Sequence, residues 1–139
     1  MPTATGKYLG DLRTVFTHDA SGGQLLTDAP VDNHGRGEAF SPTDTVCAAL
    51  SACMMTLMGI YARRENLDMN GMESRVTKHM SASPRRISRI EVEFSWPAAG
   101  AGEHQVEMMK RTAMTCPVAL SLHPDIELDV RFAFGEVEG

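Results

Sequence analysis

The stretch Ser41–Arg64, SPTDTVCAALSACMMTLMGIYARR, decides the fold. Ser41 suits a helix N-cap, Pro42 the first helical position, and Asp44 the first turn, where the helix dipole favours negative charge. Arg63 and Arg64 stand at the other end, where cations are favoured. Between Asp44 and Arg63 no charged residue occurs. The pattern predicts a long helix over Thr45–Ala62. A helix that is apolar all round marks the buried centre of a globular fold or of a dimer. Its length approaches that of a membrane span, but Thr, Ser, Gly and Cys dilute its hydrophobicity, and no membrane insertion is expected.

Outward from this helix the chain alternates. Lys7–His18 reads as one strand with Gly10 as a bulge, and Gln24–Thr27 as its hairpin partner. Residues 28–40, DAPVDNHGRGEAF, carry Pro and Gly without apolar period and read as a loop leading into the helix. Strands follow at 71–80 and 87–96; in the latter Ile90, Val92, Phe94 and Trp96 alternate with mostly charged or polar residues. Residues 103–115 read as a second helix. Pro117 opens a short third one, Pro117–Leu122, and Ile126–Phe134 is a final strand. The order β-β-α-β-β-α-β separates hairpins from helices, which points to an α+β fold with mainly antiparallel sheets around a long central helix. The 139 residues suit a single domain, 1–139.

Composition narrows the function. The net charge of −5 argues against phosphate-driven nucleic-acid binding and against a basic membrane-surface role. Ten methionines imply adaptable core or interface packing. Residues 1–11 show no apolar run after a basic start, so no secretory signal is expected and the cytoplasm is the default setting. The five histidines follow no HxxxH or HExxH pattern, and Gly35 and Gly37 lack the setting of a dinucleotide loop. No metal and no resident cofactor are expected.

The three cysteines, Cys47, Cys53 and Cys116, lack CxxC spacing. They read either as small buried hydrophobes or as a redox set. Cys47 and Cys53 are about 1.7 helical turns apart and make a poor pair. Cys53 with Cys116 is the sharper pairing. Pro117 would place Cys116 at a helix start, where the dipole lowers a thiol pKa. Peroxide reduction needs one thiolate to attack oxygen and a second thiol to resolve the sulfenic acid.

SPTDTVCAALSAC (41–53) and CPV (116–118), set in this element order, resemble the OsmC/Ohr family of thiol-dependent peroxidases, from about Tyr8 to Phe134. The resemblance implies an intertwined homodimer with active sites at the subunit interface. It also implies Cys53 as peroxidatic thiol, Cys116 as resolving thiol, organic hydroperoxides as substrates and an external dithiol of the lipoyl type as reductant. Family members hold the thiolate with an Arg from the N-terminal hairpin, itself held by a Glu two residues after the helix-start Asn or Ser. Here that Glu position is Thr43, with Asp44 next to it. Arg13 is the counterpart of the Arg, and Arg36 the alternative. With Asp44 standing in for Glu, the arginine would be held differently, so the chain resembles a divergent branch. The expectation is a peroxidase using Cys53, Cys116, Arg13 and Asp44. The competing reading is a non-catalytic protein that binds an apolar small molecule or serves as a stress or redox sensor.

Overall fold

Among the described residues, six strands and three α-helices form in the order β1 (Ala4–Gly10), β2 (Arg13–His18), β3 (Gln24–Asp28), α1 (Pro42–Arg64), β4 (Glu73–Ala82), β5 (Arg85–Trp96), α2 (Glu103–Ala113), α3 (Pro117–Ser121) and β6 (Glu127–Phe134). This computed structural model describes residues 1–135. They fall into two units, Met1–Val46 and Cys47 onward.

The first unit is an antiparallel sheet in the order β1-β2-β3. The expected strand Lys7–His18 is two strands. The bulge at Gly10 is present as a register shift between Tyr8 and Gly10, but Asp11 and Leu12 then reverse the chain, with φ of 52° and 63°. Positive φ at both central residues matches the right-handed twist of a two-residue hairpin. The third strand extends one residue beyond the expected Thr27, and a short 3-10 turn at Val31–Asn33 interrupts the predicted loop. Tyr8, Phe16 and Leu25 lie exposed on one face of the sheet, and Leu9 and Leu26 on the other. Only Thr27, Asp28 and Ser41 are buried in this unit. Asp28 is the one charged side chain among them. It pairs with Arg13, its register partner across β2 and β3.

The second unit has the sheet order β4-β5-β6. β4 and β5 are antiparallel, but β5 and β6 run parallel. The pairing is thus mainly antiparallel, as expected, with one parallel pair. The intervening α2 and α3 supply the crossover that a parallel pair requires. Register is fixed by aromatic partners. Phe94 stacks on Phe132 with centroids 5.6 Å apart, and Trp96 meets Phe134 edge-on at 5.3 Å. The Trp96 indole N–H donates to the Asp68 carbonyl at 3.1 Å, so the buried ring leaves no unpaired donor. The opposite character appears where Arg89 bonds Asp129 and Glu91, and His79 meets Glu91.

α1 is long and apolar enough by length and composition to cross a membrane. In the second unit its buried stripe, which includes Cys47, Leu50, Met54, Met58 and Tyr61, belongs to the core that also holds Ile90, Val92, Phe94 and Met109. The helix is therefore buried along one stripe, not all round. Ala49, Ala52, Thr56 and Ile60 lie exposed on the other side.

Phe94 has no exposed surface. Replacing it by Ala should cost about 3–5 kcal/mol, through lost transfer energy and a residual cavity, read from urea unfolding. Asp28 gives a second test. The Arg13 guanidinium holds its carboxyl below the usual carboxylate range, so the pair stabilises the fold above about pH 4 and loses that contribution as pH falls through the folded value. Asp28→Asn should be less stable than wild type at pH 7, and it should lose less stability than wild type between pH 5 and pH 2.

Candidate functional site

α1 assigns its two cysteines different surroundings by rotation alone. At about 100° per residue, Cys47 falls near the middle of the buried stripe, while Cys53 falls at its border, about 60° beyond Leu50. Cys47 is accordingly buried and Cys53 half-buried. Cys53 thus has one side toward the core and one toward the exposed face of the helix. None of the three cysteines is in a disulfide.

Cys116 is the N-cap of α3 and has no exposed surface. Pro117 at the first helical position locks the turn that puts it there. Its Sγ lies 4.0 Å from the Leu50 carbonyl of α1, one turn before Cys53. The Cys53 thiol neighbours it and interacts with it. The two cysteines proposed as a redox pair are therefore side by side.

Burial pushes the Cys116 thiol above its ordinary pKa, and the neighbouring Cys53 adds to the rise. The backbone N–H groups of Ala119 and Val118 act in the opposite direction but do not prevail. This corrects the expectation that the helix start would favour a Cys116 thiolate: desolvation of the charged form outweighs the amide donors. Cys116 is a neutral thiol at neutral pH. A buried neutral thiol is a poor nucleophile toward a solute, but it stands in place to meet a sulfur centre formed on Cys53.

Asp44 closes a capping box. The Asp44 N–H donates to Ser41 Oγ at 3.0 Å, and the Ser41 N–H donates to Asp44 Oδ2 at 3.0 Å. Thr43 Oγ1 lies 3.2 Å from Ser41 Oγ. Arg13 is held by a residue the sequence reading passed over as the first position of a loop. Its Nε and Nη2 each donate to the Asp28 carboxylate at 2.7 Å. Asp28 Oδ2 also accepts the Glu38 N–H at 3.2 Å. Arg36 pairs instead with Asp11 at 2.6 Å, and both side chains are exposed. The signal for Asp28 was available only through strand register, because fifteen residues separate it from Arg13. Among the described residues, no group of three His, Cys, Asp or Glu side chains is placed to hold a metal.

The family model described as OsmC-like protein matches residues 35–131. A solved structure from Psychrobacter arcticus 273-4, described as a putative osmotic stress induced and detoxification response protein, is 44% identical, with a TM-score of 0.90 over 95% of this chain and 96% of that one. An organic hydroperoxide resistance protein OsmC from Legionella pneumophila shares the fold at 15% identity, with a TM-score of 0.70 and coverage of 96% and 98%. An organic hydroperoxide resistance protein from Elizabethkingia anophelis, with thiocyanate bound, does so at 13% identity, with a TM-score of 0.68 and coverage of 96% and 97%. No curated protein sequence matches the chain. With the family model spanning well over half its length, the chain belongs to the OsmC-like protein family.

Proposed function

We propose that this protein is a thiol peroxidase that reduces organic hydroperoxides through Cys53 and Cys116. The observation that carries the reading is the juxtaposition of two free thiols of unequal exposure, one half-buried and one fully buried. Membership in the OsmC-like family supports it, as do fold relatives described as organic hydroperoxide resistance proteins.

The Cys53 thiolate attacks the distal peroxide oxygen. The O–O bond breaks, the alcohol leaves after taking a proton, and Cys53 becomes a sulfenic acid. The Cys116 sulfur then attacks the Cys53 sulfur. The S–S bond forms, the S–O bond breaks, and water departs with the Cys116 proton. A small dithiol, of the lipoyl type by family resemblance, returns both cysteines to thiols by exchange. The unequal burial gives this order a physical basis. The accessible thiol meets the solute, and the buried one is reserved for an intramolecular step. Arg13 is the cation assigned to the Cys53 thiolate by the same resemblance.

The protein works as a homodimer in this reading. The first unit leaves Tyr8, Phe16 and Leu25 exposed on one face of its sheet and Leu9 and Leu26 on the other, more apolar surface than a three-stranded sheet carries alone in water. The uncharged exposed side of α1 supports the same conclusion. Three cysteines outside any disulfide suit a reducing compartment, the cytoplasm.

The reduced protein should consume one equivalent of cumene hydroperoxide and gain a Cys53–Cys116 disulfide, seen by peptide mass spectrometry. Cys53→Ser should abolish consumption. Cys116→Ser should consume one equivalent and stall as a sulfenic acid that dimedone traps. Thiols that survive excess hydroperoxide in the wild type would exclude the peroxidase reading.

A further inference from the structure

We propose that Ser51 is a positioning residue for the Cys53–Cys116 pair: its buried hydrogen bond to Ser74 of β4 fixes how α1 seats on the sheet at the turn that carries Cys53. The inference rests on the reading of the two cysteines as a redox pair.

Ser51 is out of character for its place. It is only 3% exposed, on a side of α1 that also buries Leu50, Met54 and Met58. A hydroxyl inside a helix commonly bonds back to the carbonyl four residues earlier. Thr56 does so, donating to the Ala52 carbonyl at 2.8 Å. Ser51 instead donates out of the helix, to Ser74 Oγ at 2.8 Å, and Met55 Sδ stands 3.9 Å from the same Ser51 oxygen. Ser74 is a firm anchor. It is the register partner of Phe94, whose ring is fully buried and stacked on Phe132.

The apolar packing around this bond does not set the seat of the helix by itself. Leu50, Met54 and Met58 decide which side of α1 is buried. Methionine is unbranched and has three rotatable bonds, so it fills the same space after a small slide or rotation of the helix. A hydroxyl pair is directional and weakens steeply when its geometry is lost. Such a pair adds little net stability when both partners are present, and it penalises arrangements that leave one buried alone. It therefore acts as a registry device in an otherwise tolerant seam.

Its place along α1 gives that registry a use. Leu50, the residue before Ser51, supplies the carbonyl that lies 4.0 Å from Cys116 Sγ. Cys53 follows Ser51 by two residues, about 3 Å along the axis. The bond to β4, the Cys116 contact and Cys53 thus occupy one turn of the helix. Cys116 is fully buried in the core at the start of α3. A slip of α1 against β4 changes the gap between the two sulfurs directly, and a disulfide accepts only a narrow range of sulfur geometry.

The test is the fraction of Cys53–Cys116 disulfide at equilibrium in a series of glutathione redox buffers at pH 7, read by peptide mass spectrometry after alkylation, with urea unfolding of each variant. In the forward direction both cysteine thiols are oxidised and one glutathione disulfide is reduced to two thiols. Ser51→Ala should make the protein disulfide roughly 10-fold easier to reduce, about 30 mV for a two-electron couple. The double variant Ser51→Ala with Ser74→Ala should show the same shift while unfolding near the wild-type urea midpoint, because no hydroxyl is left without its partner. That variant preserves the test should Ser51→Ala not fold. Ser74→Thr keeps a hydroxyl opposite Ser51 and should restore the wild-type potential. A folded double variant with the wild-type potential overturns the inference, as does a Ser74→Thr shifted as far as the double variant. A wild type that forms no Cys53–Cys116 disulfide in any buffer overturns the redox pair and this inference with it. Cumene hydroperoxide consumption by the wild type, measured separately, tests the peroxidase reading alone, since the disulfide equilibrium does not depend on it.

Discussion

Burial of one stripe of α1 is the constraint on which the second unit depends. Leu50, Met54 and Met58 have no exposed surface, and neither do Ile90, Phe94, Met109 and Cys116 of the same core. Once this stripe is packed, the rotation of the helix is set. That rotation places Cys47 inside the core and Cys53 on its border. The chemistry assigned to the two cysteines differs because their six-residue spacing falls about a third of a turn short of two full helical turns. Neither residue needs a special local environment to acquire its exposure. The core supplies it.

The same core determines what Cys116 can do. A fully buried thiol in the core that also holds Leu50, Met109 and Ala113 loses the hydration that a thiolate needs, so it stays protonated. Methionine suits this surrounding. Met54, Met58 and Met109 are fully buried, and Met55, Met69, Met72, Met80 and Met108 pack at the edge of the cluster. Their unbranched, polarisable side chains fill irregular space in the core that holds Cys116. The high methionine count of the sequence is thus mostly a property of one core.

The readable parts of this fold were those set by local pattern. The absence of charge between Asp44 and Arg63 marks α1, and alternation marks β5 and β6. Pro117 marks the start of α3 and so the position of Cys116. The features that escaped depend on long-range or unusual backbone geometry. Leu12 at positive φ is a residue type that turn chemistry does not flag, so the hairpin between β1 and β2 was read as a continuous strand. Alternation reveals which face of β6 is buried but not which strand it joins, so its parallel pairing with β5 was hidden. The Cys116 thiol was misjudged because a helix start is visible in sequence and the burial of a particular sulfur is not.

Asp28 and Asp44 show the same limit from the side of function. Both are aspartates flanking the loop that feeds α1, and the family resemblance points to Asp44, beside the usual Glu position, as the arginine holder. Asp44 bonds three residues back, to Ser41, because its short side chain one turn into a helix is well placed for a capping box. Asp28 reaches fifteen residues back because the turn between His18 and Gly23 sets β2 in register with β3, with Arg13 opposite Asp28. Strand pairing, not closeness in sequence, thus decides which carboxylate meets the arginine.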